Sequence, residues 1–293
     1  MKFLFLVNVR SGAKRGIDFE SLIRTACDWA DVDVRPCRLR EDGDEIIANA
    51  ERDGCDAVFA VGGDGTVHEV AKRLIGRRPA LGIVPTGSGN GVARHLRLPM
   101  NARAAIAAYR NARAVPIDTA SVNGQAYVGV MGIGFDAVIA HEFAAHEARG
   151  FRTYLRVGWA ALLRYRPEEY EIEADGERIV TRAFAVAVAN GSQYGNNARV
   201  AANASVRDGL LDLVIFRDVP VIAAPIVTLR VFTGTAHRSR AVITRKVRDV
   251  TIRRKPAGYG HLDGEPVTLG DELRVTVRPQ SLNVLVTCDP DTI

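Results

Sequence analysis

The sequence predicts an α/β domain built on a parallel sheet, followed by an antiparallel β-sandwich domain, and three observations carry that prediction. At 293 residues the chain exceeds the usual size of a single domain. Up to about residue 115, short apolar runs of strand length alternate with segments of helical period, the pattern of a sheet covered on both faces. Beyond that point the chain becomes strand-rich, with hairpin-like turns such as Asp175-Gly176.

The elements follow in order. Phe3 to Val7 is apolar but far shorter than the core of a signal peptide, and Asn8 and Arg10 follow at once, so it reads as the first strand. A helix over Ile17 to Ala30, a short strand over Val32 to Pro36 and a helix over Asp44 to Asp53 come next. Ala57 to Val61 has the length of a buried parallel strand. From Val67 the period changes: Val67, Val70, Ala71, Leu74 and Ile75 share one helical face, and Gly76 ends the run. Strand Leu81 to Val84 and helices Gly91 to Leu96 and Ala102 to Asn111 complete the first part. The second part has strands at Ala126 to Met131, Glu169 to Ala174, Arg178 to Asn190, Leu211 to Phe216, Val247 to Arg253 and Glu272 to Arg278. Two helical stretches, Phe151 to Leu163 and Val221 to Phe232, interrupt them. The apolar stretch Leu282 to Thr287 closes the chain.

Composition excludes several classes. Hydrophobic residues at 47% and charged residues at 25% are those of an ordinary globular protein. Cys27, Cys37, Cys55 and Cys288 lack the paired short spacing of a zinc site or a disulfide framework, which suits a reducing compartment and predicts a cytoplasmic location. No apolar run reaches the ~18 residues of a membrane span. The longest, Val221 to Phe232, is cut by Pro225 and Arg230. A net charge of +5 is compatible with attraction to anionic headgroups but specifies no partner.

The most informative stretch is DAVFAVGGDGTVHEV, Asp56 to Val70. A buried strand runs into a turn at Gly62, Gly63 and Gly65 and then into a helix, so backbone donors and the positive end of a helix dipole face whatever lies over the glycines. A hairpin would need a second strand, and a helix follows instead. The spacing matches neither the P-loop nor the dinucleotide GxGxxG pattern. Two further loops, Asn8 to Gly16 and Pro85 to Asn90, follow the first and fourth strands. Three such loops at the carboxyl ends of parallel strands make a triphosphate site plausible. Thr66 and Ser88 supply hydroxyls, Asn8 and Asn90 amides and Arg94 a charge; for Ser88 and Asn90 helix capping is the alternative role.

GGDGTVHEV resembles the nucleotide-binding signature of the diacylglycerol kinase catalytic family, which includes bacterial lipid kinases, sphingosine kinases and ceramide kinases. The likeness continues in order through Asn8 to Gly12, PTGSGNGVAR at Pro85 to Arg94, Asp118 in VPIDTASVNG, GIGFDA at Gly132 to Ala137, ANG at Ala189 to Gly191, NASVRDGLLD at Asn203 to Asp212, and LDGE at Leu262 to Glu265. It implies a three-layer α/β nucleotide-binding domain of the NAD kinase/phosphofructokinase kind over 1–115, with the tail from about 280 to 293 packed on it. A β-sandwich lipid-substrate domain would cover 116–279, with the active site in the cleft between the two.

The resemblance further implies ATP and Mg2+. Asn8, Ser11, Gly12, Gly62, Gly63, Asp64, Gly65, Thr66, Ser88 and Asn90 would hold the nucleotide, and Glu265 and Asp64 compete for the role of base. Asp263-Gly264 is by itself also a good hairpin turn, beside which an exposed Glu265 would need no function. Asp208, with Ser205 and the backbone of Leu210, matches the position of a structural magnesium, and oxygen ligands at that spacing suit a hard cation. As candidate substrate residues, Asp118 resembles an aspartate in the bacterial enzymes' carboxylate and water network and Asp136 falls where sphingosine kinases read the substrate headgroup, with an ordinary turn or strand-end role the alternative for each. The expected partner is a lipid at the inner membrane face, met by peripheral contact; nucleic acid is not expected and a homodimer is left open. Phe143, Phe151, Tyr154 and Trp159 are candidates for the wall of a lipid pocket, with plain core packing the alternative. Three departures stand out: Arg40 takes roughly the place of a threonine near the adenine site, Ala202 replaces a proline before Asn203, and Gly-Ser-Gly-Asn in the third loop is the sphingosine and ceramide kinase variant. An NAD kinase or phosphofructokinase-type enzyme is the nearest alternative, and a silent lipid or nucleotide sensor another.

Overall fold

The computed structural model describes residues 1–8, 17–145 (143–145 as backbone alone), 158, 161, 164–218 and 223–293. They form two compact units, Met1–Thr119 with Pro279–Ile293, and Ala120–Arg278. The chain passes between them twice.

In the first unit, strands β1 (Lys2–Asn8), β2 (Asp31–Cys37), β3 (Ala57–Gly62) and β4 (Ala80–Pro85) are parallel in the order β2-β1-β3-β4. Val284 of the last strand adds beside Leu81. β3 and β4 are buried along their whole length, which is why they read as unbroken apolar runs. The helices are α1 (Phe19–Ala26), α2 (Leu39–Arg52), α3 (Asp64–Leu74), α4 (Gly91–His95) and α5 (Ala102–Ala108). Phe5 stacks on Phe59 with ring centroids 4.2 Å apart. Tyr109, edge-on to Phe59, both accepts from the Ile83 N–H and donates to its carbonyl.

Several helix bounds differ from the sequence reading, and α1 is shorter at both ends than the expected Ile17 to Ala30. Helix α2 starts at Leu39, five residues ahead of Asp44, because Leu39, Gly43 and Ile47 turn inward together. At Gly43 a side chain would meet Arg73 Nε at 2.9 Å, so glycine here accommodates a neighbour rather than breaking the helix. Helix α3 starts at Asp64 rather than Val67: the glycine turn itself forms its first turn, with the Thr66 and Val67 N–H groups both donating to the Gly63 carbonyl.

The second unit is antiparallel. Its strands are β5 (Arg113–Val122, entering from the first unit), β6 (Gln125–Tyr127), β7 (Val130–Gly134), β8 (Glu168–Ala174), β9 (Glu177–Ala189), β10 (Leu211–Arg217), β11 (Val242–Val247), β12 (Asp249–Arg254), β13 (Gly258–Leu262), β14 (Glu265–Leu269) and β15 (Glu272–Val286), with α6 (Phe135–Ala145) and α7 (Ala224–Phe232) between them. The main order is β14-β13-β7-β9-β8-β12-β15, with β10 joining β9 to β11. Period-two alternation builds two cores. Val186 and Val188 of β9 join Tyr170, Leu213, Ile252 and Leu273, while Ala187 and Ala189 join Val130, Val200 and Val214 on the other face.

The sequence reading missed α6, β5, β11, β13 and β14. It also took Ala126 to Met131 as one strand, where the structure has β6 and β7, and it separated Glu272–Arg278 from the tail that β15 joins. The helical stretch Phe151 to Leu163 lies outside the described residues except at 158 and 161. Among the described residues no helix is long and apolar enough to cross a membrane.

Candidate active site

In the strand order β2-β1-β3-β4, the connections leave β1 and β3 toward opposite sides, so the carboxyl ends of these two strands open a crevice. Asn8 ends β1 and Gly62 ends β3. The Asn8 Nδ2 donates to Thr66 Oγ1 at 2.8 Å, bridging the crevice mouth. Thr66, 4% exposed, folds back over Gly62, which has no room for a side chain. The loop after β4 lies against the glycine turn backbone to backbone. The Thr86 N–H donates to the Gly62 carbonyl at 2.9 Å, and a Cβ on Gly87 would stand 2.7 Å from the Gly63 Cα.

Asp64 locks these loops together. Its Oδ2 accepts from the Asn90 N–H at 2.8 Å and its Oδ1 from the Gly91 N–H at 2.6 Å. The carboxylate thus caps α4, the role considered for Ser88 or Asn90. Asn90 instead sits in the left-handed region with φ 54, and its amide donates to the Gly87 carbonyl. Ser88 is exposed at the loop tip, and Gly65 is the second residue of α3. Arg94 Nε donates to the Gly89 carbonyl at 2.9 Å. The Thr86 hydroxyl is buried beside this loop without a protein partner. A glycine cradle, a helix N-terminus and that orphaned hydroxyl suit a polyphosphate. Behind the loop, burial and then the Arg97 charge push the His95 imidazole down to about 4. Ser11 and Gly12 lie outside the described residues. Arg40, 76% exposed, reaches Glu69 at 4.0 Å.

In the second unit Glu265 follows a two-residue turn. Leu262 pairs with Glu265, and Asp263 (φ 53) and Gly264 (φ 84) both take positive φ, the twist-matched hairpin type. Yet Asp263 does more than turn the chain. Its carboxylate accepts from the Val128, Gly129 and Val130 N–H groups at 3.0, 2.7 and 3.1 Å, and so ends β6 before β7 begins. Asn190 of the ANG motif holds the same connection by donating to the Val128 carbonyl at 2.7 Å. Glu265, partly exposed, therefore stands on an anchored hairpin.

His261 lies opposite Gly132 in the β13–β7 register. Its Nδ1 faces the Gly264 N–H at 3.4 Å, which assigns the ring proton to Nε2, 3.4 Å from Asp136 Oδ2. Tyr194 donates to the same oxygen at 2.6 Å, and the Ala137 N–H to Oδ1 at 2.8 Å. A side chain on Gly132 would strike both Asp136 and His261, which gives the first glycine of GIGFDA its reason; the second, Gly134, has φ 93 and lies against the Phe184 carbonyl. Asp118, 1% exposed, belongs to the first unit, where its Oδ1 accepts from the Gln280 N–H at 2.8 Å and ties β5 to the tail.

Ser205, Asp208 and Leu210 lie on one turn ahead of β10, but as arranged they do not fit a directly bound metal. The Ser205 hydroxyl accepts from the Arg207 N–H, and Asp208 Oδ1 from the Leu210 N–H at 3.1 Å. Asp208 Oδ2 is held by Lys246 Nζ at 2.8 Å. Among the described residues no three His, Cys, Asp or Glu side chains gather as a metal site.

Residues 2–122 match the diacylglycerol kinase catalytic domain, and residues 129–286 match the YegS C-terminal NAD kinase beta sandwich-like domain. The chain belongs to the diacylglycerol kinase catalytic family. Within this family it is 30% identical over 258 residues to "Probable lipid kinase YegS-like" of Cronobacter sakazakii, covering 86% of this chain and 85% of that one. It is 29% identical over 215 residues to "Diacylglycerol kinase" of Bacillus subtilis, covering 72% and 71%. A crystal structure of a diacylglycerol kinase from Bacillus anthracis aligns over 100% of this chain and 98% of its own, with a TM-score of 0.73 at 19% identity, a likeness of fold. The chain is thus a kinase of lipid kinase type, with an α/β domain and a β-sandwich-like domain. Sequence reasoning missed Tyr194, His261, Thr86, Asp212 and Lys246. Of these, Thr86, inside the quoted PTGSGNGVAR, and Asp212, inside the quoted NASVRDGLLD, carried a signal.

Proposed function

We propose that the chain transfers the terminal phosphoryl group of ATP to a hydroxyl of a diacylglycerol-like or sphingoid-like lipid, working at the inner membrane face. The observation that carries this reading is the closure of the two glycine loops by Asp64 over a crevice bridged by Asn8 and Thr66. Gly62, Gly63, Gly65 and the loop Gly87 to Gly89 present backbone donors to the phosphates, and Thr66, Thr86 and Ser88 add hydroxyls. Mg2+ carried with the nucleotide supplies charge neutralisation at the phosphates.

Asp64 spends one lone pair of each oxygen on a loop N–H group, which supports Glu265 as the group that takes the proton from the acceptor hydroxyl. Asp64 then acts by holding the third loop in place. Membrane contact is supported by Ile226 and Leu229, three residues apart on α7 and 61% and 63% exposed, together with the net charge of +5.

The test is to incubate the protein with γ-labelled ATP, Mg2+ and a total lipid extract. Label passes to the organic phase, and Glu265→Gln stops it while the chain stays folded. Label confined to a water-soluble nucleotide acceptor, or none transferred, overturns the reading.

A further inference from the structure

Lys246 stands on β11 directly opposite Asp212 of β10. Its ammonium lies 2.8 Å from Asp208 Oδ2 and 2.9 Å from Asp212 Oδ2. The contact with Asp208 is a hydrogen bond, while that with Asp212 is an ion pair off the hydrogen-bond line. Lys246 and Asp208 are about a third exposed, at 35% and 32%, and Asp212 only 12%. Asp212 would therefore be a costly lone charge without a cation beside it.

We infer that the Lys246 ammonium is the structural cation of this turn, doing by a covalently attached charge what a divalent ion would do, so that residues 205–212 hold their shape without metal. A divalent ion ligated by Asp208 would have to share Oδ2 with the ammonium or Oδ1 with the Leu210 N–H, and either place puts a second cation on a carboxylate that the ammonium already holds, where the two cations repel. Burial of Lys246 pulls its pKa down, but its hydrogen bond to Asp208 and its attraction to the Asp212 carboxylate outweigh that and leave it above the ordinary lysine value. Burial raises the Asp212 carboxyl against the pull of Lys246. The inference does not rest on the kinase reading.

The test is thermal unfolding of the nucleotide-free protein in chelator and in millimolar Mg2+, for wild type, Asp208→Asn and Lys246→Met. The quantity read is the part of any Mg2+ response that depends on Asp208, and the expectation is zero for wild type. Lys246→Met in chelator unfolds about 2–4 °C lower. A Mg2+ stabilisation of wild type that Asp208→Asn abolishes overturns the proposal, as does a Lys246→Met chain that melts with wild type. The wild-type arm against Asp208→Asn decides the matter even if Lys246→Met does not fold.

Discussion

Replacing Asp64 by asparagine separates the two acids that compete for the role of base. The aspartate accepts two backbone N–H groups, from Asn90 and Gly91, one on each oxygen. Asparagine keeps one acceptor and turns an NH2 toward the other N–H, so one charge-assisted bond is lost and a donor is left facing a donor. Such a bond contributes about 1.5–3 kcal/mol, and the lost negative charge at the start of α4 adds a few tenths. Asp64 is partly exposed, so the lower half of that range applies, about 2 kcal/mol. Urea unfolding followed by fluorescence reads this as a lower midpoint with unchanged slope. Turnover falls together with a raised KM for ATP, because the third loop no longer holds its place. Glu265→Gln shows the opposite pattern: stability within about 0.5 kcal/mol of wild type, and a transfer rate lower by about 10²–10⁴-fold with KM for ATP unchanged. Wild-type stability in Asp64→Asn would falsify the positioning role, and wild-type turnover in Glu265→Gln would remove the base.

Gly87→Ala places a Cβ 2.7 Å from the Gly63 Cα, where neither backbone yields, so the loops separate; calorimetry should show nucleotide affinity reduced by an order of magnitude or more. His95 is pushed down to about 4 in the folded chain against about 6.5 unfolded. The unfolded state therefore takes up a proton first as pH falls, and stability is level above pH ~6.5 and declines by about 3 kcal/mol toward pH 4. His95→Gln removes that part of the slope in urea melts at stepped pH. Gly132→Ala drives a methyl group into Asp136 and His261, costing about 1–3 kcal/mol of stability and releasing the hairpin that carries Glu265. His261→Gln, which keeps a donor toward Asp136, retains most of that stability, and comparing the two melts checks the network.

The glycine turn was legible because its evidence is local: five apolar residues, three glycines and a helical period lie within twenty positions of one another. The partners of Asp64 were not, since Asn90 and Gly91 are 26 and 27 residues away and only the fold brings them near. Lys246, 38 residues from Asp208, is a lysine on an exposed strand until β10 and β11 pair. Helix α6 escaped because Ala137, Val138, Ile139 and Ala140 are apolar in succession and leave no polar face to mark the period. β13 and β14 carry Gly258, Gly260 and Pro266, which argue locally against strand; at Gly260 the close approach of Leu269 explains the glycine. The exposed Arg278 to Gln280 hid the continuity of β15.

The central claim is phosphoryl transfer to a lipid hydroxyl. Its most direct measurement is mass spectrometry of the organic phase after the purified protein acts on defined diacylglycerol and sphingoid vesicles with ATP and Mg2+. A lipid heavier by one phosphoryl group, formed by wild type and absent with Glu265→Gln, is the expected result. Lipids unchanged in mass while ATP is consumed onto a soluble acceptor would contradict the claim.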